Sequence, residues 1–154
     1  MIFVTLGTQA FPFDRLLRGL DGLDEELVVQ AGASSHRPPG AAWYDYLEYP
    51  RVVEHVRRAR AVVSHAGVGS VMTAVADGKR PLVVPRLHRF GEAVDDHQVP
   101  FARRLAEAGL VTLVEDPAGL PAALADPPAL PEREASEGSL AADLRAYLES
   151  LYSM

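Results

Sequence analysis

A short apolar run that leads directly into a glycine turn constrains the fold more than any other stretch. Residues 61–64 are uncharged and mostly β-branched or small, which predicts a strand buried on both faces. Gly67 and Gly69 allow the backbone to turn sharply and to approach a ligand closely. Ser70 then opens a helical pattern. The strand, the turn and the helix N-terminus together predict an anion site, because free N–H groups and the positive end of the helix dipole meet there.

The remainder of the chain shows the same alternation of strands and helices. Strands are predicted at residues 2–6, 26–30, within 43–49, and at 61–64, 81–85 and 110–114. Helices are predicted at residues 13–20, 51–60, 70–77 and 95–108. This order predicts an α/β protein with right-handed crossovers, in which a parallel sheet carries helices on both faces.

Composition limits what such a domain can do. The 154 residues favour one domain with its own core, and the net charge of −6 argues against non-specific nucleic-acid binding. The chain has no cysteine, and no signal-peptide pattern follows Met1, so we predict a cytoplasmic location. No apolar run approaches the ~20 residues of a membrane span, so contact with a membrane is expected only through a partner.

The last quarter of the chain differs from the rest. Residues 1–116 are predicted to form the α/β core. Residues 117–138 contain five prolines and predict a short helix near residues 120–124 followed by a mobile linker. Residues 139–154 regain helical leucine spacing, which predicts a helix that packs on the domain or on a partner.

A ligand site is expected beyond the carboxyl ends of the strands, where open parallel sheets bind their ligands. The loops at residues 7–9, 67–70 and 86–94, and also 32–36, leave such ends. Two of them are glycine turns, and one is rich in Arg, His and Asp, which is typical of a nucleotide or nucleotide-sugar site. The first strand is not followed by the dinucleotide fingerprint, and the chain has neither a P-loop nor a serine-hydrolase elbow.

The residue types alone leave alternatives open. Glycine turns often follow buried strands without any ligand. His65 is expected to bond backbone groups rather than to act in catalysis. Asp95 and Asp96 can cap a helix, or a carboxylate there and Gln98 can bind sugar hydroxyls. A metal site is not expected, because these side chains diverge on a helix.

Four motifs carry a resemblance to a known family: residues 3–8, 63–70, 79–86 and 91–98. In these motifs the chain resembles the nucleotide-sugar-binding C-terminal half of family-28 glycosyltransferases of the GT-B fold. It is similar in particular to stand-alone small subunits of two-part N-acetylglucosaminyltransferases and exopolysaccharide transferases. In those enzymes a membrane-anchored partner supplies the other half of the fold and most of the acceptor site.

The resemblance implies a role for each matching residue. It implies that the donor sugar is held by Asp96 and Gln98. Thr73 stands where the family commonly has a ribose-binding glutamate, so the ribose contact is expected to be weaker. The residues implied to bind the donor pyrophosphate are Gly7, Thr8, Gly67, Val68, Gly69 and Ser70.

Arg86 and Arg89 follow a strand end and leave two interpretations open. They can be solvated loop residues, or they can pair with the pyrophosphate or with the carboxylate of a uronic-acid donor.

The resemblance implies inverting transfer of a sugar from a UDP-sugar to a lipid-linked or polysaccharide acceptor. We identify no catalytic base in this chain and expect no metal and no cofactor, so the base is expected in the partner and the chain is expected to be inactive alone. A non-catalytic nucleotide-sugar-binding or regulatory subunit is the alternative. A nucleotide-sugar epimerase is a second competitor, although epimerases of this fold usually need a longer chain.

Overall fold

The computed structural model describes residues 1–131 of the chain. Its centre is a six-stranded parallel sheet in the order β3-β2-β1-β4-β5-β6. The strands are β1 (Ile2–Thr5), β2 (Leu27–Gln30), β3 (Ala42–Tyr44), β4 (Ala61–His65), β5 (Leu82–Val84) and β6 (Thr112–Leu113). The helices are α1 (Asp14–Arg18), α2 (Tyr49–Arg58), α3 (Val68–Ala76), α4 (Gln98–Glu107) and α5 (Leu120–Ala125).

Residues along each central strand point alternately to two separate hydrophobic clusters. Ile2 and Val4 of β1 join the cluster that contains α1 and α5. Phe3, between them, packs with Val56 of α2 and Ala74 of α3 on the other face. A third cluster joins β5 to α3 and α4. Because both faces are covered, the central strands are apolar throughout, and the predicted parallel sheet with helices on both faces is confirmed.

The strand order places the expected ligand crevice between β1 and β4. The chain moves outward through β2 and β3 on one side of β1, and through β4, β5 and β6 on the other. The loops after β1 and β4 therefore leave the sheet in opposite directions and open a crevice at its carboxyl edge. Thr5, the last residue of β1, pairs with Ser64 of β4, so these two loops start side by side.

The start of α4 differs from the prediction. The helix begins at Gln98 rather than at Asp95. The Asp95 carboxylate accepts a hydrogen bond from the backbone N–H of His97 (3.0 Å), and Asp96 accepts one from His88 N–H (2.8 Å). These side chains bond local backbone groups outside the helix, so the segment forms a loop and neither carboxylate caps α4.

The core continues beyond residue 116. Residues 117–119 form a 3₁₀ turn that leads into α5, the short helix that the sequence predicts. Leu120 and Leu124 are fully buried against the cluster that contains α1. The end of the predicted linker and the predicted C-terminal helix, at residues 132–154, lie outside the described residues. In residues 1–131, none of the helices has the length and apolar character needed to cross a membrane.

Candidate functional site

The glycine turn after β4 presents the N-terminus of α3. β4 ends at His65, and α3 begins at Val68 with Gly67 as its extended N-cap residue. No side chain caps this end of the helix. Because the first N–H groups of a helix have no intrahelical acceptor, those of Val68, Gly69 and Ser70 are donors that an anion can use.

The His65 ring fills the space between the loops after β1 and β4. A methyl group added at Gly7 or at Gly67 would overlap the ring in either case. Gly7 also has a positive φ of 71°, which side chains other than glycine rarely adopt. Both glycines are therefore needed by the fold itself, because they allow the two turns to close on an imidazole.

Gly69 is different, because the space beside it is open. A methyl group added there would meet no atom within 4 Å. Gly69 lies in the first turn of α3 and has no positive φ, so neither packing nor backbone conformation requires a glycine. Gly69 is also exposed, so a ligand can approach the first turn of α3 at this residue.

His65 connects the turn to a buried arginine. Its Nδ1 accepts a hydrogen bond from Arg86 Nε (3.2 Å), and its Nε2 lies 3.2 Å from Ser70 Oγ. Burial, and secondly the neighbouring Arg86 charge, lower the pKa of His65 to about 3. The ring is therefore neutral near pH 7. The sequence predicts backbone partners for this histidine, whereas both ring nitrogens bond side chains.

Arg86 holds several segments together from within. Its guanidinium donates to the carbonyl oxygens of Leu6 (2.6 Å), Phe11 (2.8 Å) and Glu92 (3.1 Å). The side chain is 1% exposed, and burial lowers its pKa to about 10, so it remains charged at neutral pH. The structure thus places this arginine behind the turn, with its donors directed to protein groups.

Gln98 lies beneath the turn and joins two strand ends. Its Oε1 accepts hydrogen bonds from the backbone N–H of Ala66 (3.2 Å) and of Arg86 (3.0 Å). The residue is buried, yet its Nε2 donates to no group within residues 1–131. A bound hydroxyl could use that donor, while the oxygen already fixes the geometry of the loops.

Asp96 and Arg89 both line a pocket. The pocket has a volume of about 760 Å³ and lies between the loop after β5, α4 and the residues after β6. Asp96 and Arg89 line it together with Phe90, Arg103 and Glu115. None of its lining residues belongs to the glycine turn. Asp96 therefore lines this pocket, whereas Gln98 does not line it and bonds the backbone of Ala66 and Arg86.

Thr8 and Thr73 lie near the turn in different ways. Thr8 is exposed in the loop after β1. The Thr73 hydroxyl donates to the carbonyl oxygen of Gly69 (2.8 Å), one helical turn earlier. Its donor is therefore used within α3, and the oxygen lone pairs remain for a ribose hydroxyl.

Two side chains near the site, Gln30 and Glu92, were not predicted from the sequence to have a role. Gln30 Nε2 donates to the carbonyl oxygen of Gly7 (3.4 Å), and its Oε1 is buried without a partner in residues 1–131. Glu92 is 3% exposed and forms a two-point ion pair with Arg15. Gln30 could have been identified from the sequence as a polar residue at the end of an otherwise apolar strand. No comparable sequence pattern marks Glu92.

Within residues 1–131, no three His, Asp or Glu side chains are grouped so that they could hold a metal ion.

A family model matches nearly the whole chain. Residues 1–146 match the model described as the glycosyltransferase family 28 C-terminal domain. An N-acetylglucosamine transferase of Ralstonia nicotianae, named for transfer from UDP-N-acetylglucosamine to N-acetylmuramyl-(pentapeptide) pyrophosphoryl-undecaprenol, is 44% identical over 69 residues. The UDP-N-acetylglucosamine transferase subunit ALG13 of Yarrowia lipolytica is 34% identical over 73 residues. These matches cover 45% and 47% of this chain but only 18% and 35% of the two relatives.

Solved glycosyltransferase structures share the fold. The spinosyn forosaminyltransferase SpnP aligns over 99% of this chain and 44% of its own, with a TM-score of 0.60 and 20% identity. The calicheamicin glycosyltransferase CalG4 aligns over 99% of this chain and 39% of its own, with a TM-score of 0.56 and 20% identity. The chain therefore corresponds in fold to less than half of each of these enzymes.

Proposed function

Because the chain belongs to the glycosyltransferase family 28 C-terminal domain family, we propose that it binds the UDP part of a sugar donor and acts with a second subunit. In this proposal the partner is membrane-anchored and carries the acceptor site. Together they transfer the sugar, with inversion, to a lipid-linked or polysaccharide acceptor. The relative from Yarrowia lipolytica is named as a subunit of a UDP-N-acetylglucosamine transferase, which supports a two-part enzyme.

The observation that carries this proposal is the open N-terminus of α3 in the crevice between β1 and β4. The diphosphate would accept hydrogen bonds from the N–H groups of Val68, Gly69 and Ser70, with Gly7 and Thr8 facing it from the loop after β1. Negative charge grows on the nucleotide diphosphate as it leaves, and fixed donors at a helix N-terminus stabilise such charge. The turn would thus contribute to the transition state as well as to binding.

The sugar is proposed to lie toward α4. Gln98 Nε2 would donate to a sugar hydroxyl, and Asp96 and Arg89 would contact the sugar or the acceptor from the adjoining pocket. Arg89 is the candidate for pairing with a donor carboxylate, because the Arg86 guanidinium already donates to three carbonyl oxygens. Thr73 would contact the ribose through its oxygen lone pairs.

One observation favours the alternative of a non-catalytic nucleotide-sugar-binding subunit. His65 is a titratable side chain in contact with the turn, and both of its ring nitrogens are hydrogen-bonded. It is therefore not a candidate base. In the transferase proposal the base belongs to the partner, and in the alternative no base is needed.

Ligand titration tests the diphosphate site first. We expect UDP to bind more tightly than UMP, and uridine to bind least tightly, because the donors of the turn are directed at phosphate. UDP at 100 times its Kd is expected to raise the melting temperature by roughly 5–10 °C. Equal affinity for UDP and uridine would rule out a diphosphate site at the glycine turn.

A transfer assay separates the two functions. Radiolabelled UDP-N-acetylglucosamine and a polyprenyl-linked acceptor are incubated with the full chain alone, with a candidate membrane-anchored partner alone, and with both. The transferase proposal expects product only with both proteins. Product from the chain alone would contradict the two-part arrangement. UDP binding without product for any partner would favour the non-catalytic alternative.

A further inference from the structure

A continuous chain of side-chain hydrogen bonds runs from the protein interior to the glycine turn. It joins Arg86, His65 and Ser70. We propose that Arg86 and His65 are positioning residues that direct the hydroxyl hydrogen of Ser70 outward, to an oxygen of the donor diphosphate. This inference rests on the proposed function. It adds that the orientation of the Ser70 hydroxyl is fixed before the ligand binds.

Arg86 fixes the tautomer of His65. An arginine guanidinium has only donors, so the bond from Arg86 Nε requires a lone pair on His65 Nδ1. The single proton of the neutral ring must then be on Nε2. A partner that can only donate, placed at one ring nitrogen, decides that the other nitrogen carries the proton.

The His65 tautomer in turn fixes the role of the Ser70 oxygen. Nε2–H lies 3.2 Å from Ser70 Oγ, so the serine oxygen accepts this hydrogen bond. The hydroxyl therefore keeps its own hydrogen for another acceptor. Within residues 1–131 no group accepts it, and Ser70 belongs to the first turn of α3, beside the N–H of Gly69. The hydroxyl thus adds one more donor to those of the helix N-terminus.

The His65 ring is held rigidly by its surroundings. His65 is 3% exposed and lies between Gly7 and Gly67, neither of which has room for a methyl group. Arg86 is held in turn by the three carbonyl oxygens that it bonds. Bonds in such a chain also polarise one another, and a buried positive charge at its inner end strengthens the outer donor.

A double-mutant cycle on UDP binding tests the proposal. Ser70→Ala removes the final donor and is expected to weaken UDP about tenfold, while uridine affinity stays within about twofold. His65→Leu should cause a similar loss for UDP. In the double variant we expect no further loss, because His65 acts through Ser70. His65→Gln should bind UDP within about threefold of wild type, since an amide has both an acceptor and a donor.

Each contrary result has a distinct meaning. If the wild type binds UDP as expected but the losses from His65→Leu and Ser70→Ala are additive, the positioning role of His65 is overturned. The proposed function would then remain intact. A wild type that binds UDP no better than uridine would overturn both. If His65→Leu does not fold, the ¹⁵N spectrum of the wild-type histidine decides: we expect a protonated Nε2 and an unprotonated Nδ1 from pH 5 to 8. A protonated Nδ1 would overturn the proposal.

Discussion

Three glycines near the crevice illustrate two different uses of the same residue. Gly7 and Gly67 make room for the imidazole of His65, so the fold requires them. Gly69 faces open space and is required by nothing in the described structure. A glycine in a helix that packing does not need is a sign of ligand approach, because it costs the helix stability.

We therefore expect Gly69→Ala to separate stability from binding. The variant should be more stable by about 0.5 kcal/mol, because alanine favours the helix, and should bind UDP at least about tenfold more weakly, because the methyl group occupies the approach to the N–H groups. Urea unfolding and UDP titration measure the two effects.

Gly22→Ala is the matched control for that variant. Gly22 also faces open space and has no positive φ, but it lies outside the crevice. It should leave UDP affinity unchanged. An undiminished UDP affinity in Gly69→Ala would contradict the assignment of the open space to the diphosphate.

His65 gives the fold a defined dependence on pH. Its pKa is about 3 in the folded chain against an ordinary value of 6.5, so between these values the unfolded chain binds the additional proton. The His65 contribution to stability is complete above about pH 6.5 and falls as the pH is lowered, by up to roughly 1 kcal/mol per pH unit.

Urea unfolding of the wild type and of His65→Gln between pH 4 and 8 measures this contribution. The variant should show the smaller loss of unfolding free energy below pH 6.5. Parallel pH profiles for wild type and His65→Gln would show that the imidazole is not held neutral by burial.

The sequence predicts candidate polar residues for the crevice, but it does not show which of their donors and acceptors are already bonded within the protein. Arg86 follows β5 and Gln98 begins α4, and a long polar side chain at either position suits a ligand contact or a bond to neighbouring loops. The structure shows both bonded to backbone groups. The deciding factor is the set of unpaired backbone groups at the carboxyl ends of β1, β4 and β5, which depends on strand order and is invisible in a linear sequence.

At the scale of elements, α5 shows how a proline-rich segment can still belong to the core. Pro121 lies in the first turn of α5, where proline is tolerated. Leu120 and Leu124 lie one turn apart and are buried together. The sequence predicted the short helix itself, whereas its attachment to the cluster with α1 depends on packing that the sequence pattern does not specify.

Leu124→Ala is expected to destabilise the domain by about 2–5 kcal/mol, because it leaves a cavity in the core. Val94→Ala changes a side chain that is 69% exposed and should alter stability by less than about 0.5 kcal/mol. Urea unfolding compares the two. Similar unfolding midpoints would show that α5 does not contribute to the core.

At the scale of the whole molecule, Arg86 joins segments that are far apart in sequence. It bonds the residue after β1, the loop before α1, the loop before α4 and the last residue of β4. The alternation of strands and helices predicted every layer of the fold. It did not predict the strand order, because the same alternation is compatible with other doubly wound sheets.

Removing Arg86 should therefore affect the entire fold. Arg86→Met leaves buried carbonyl oxygens without donors, and we expect a loss of at least about 3 kcal/mol in unfolding free energy. Arg89→Met removes an exposed guanidinium a few residues away and should cost less than about 0.5 kcal/mol. Equal stability of the two variants would contradict the role of Arg86 in joining the loops.

The imidazole held between two glycine turns also affects how a ligand would be received. The His65 ring already fills the space between the two turns and is hydrogen-bonded before any ligand arrives. Ligand binding at the turn would therefore fix few additional torsion angles of the protein. The entropy lost on binding would come mainly from the ligand itself. Calorimetry would then show a small heat-capacity change for UDP, as expected when a preformed surface receives a polar group without refolding around it.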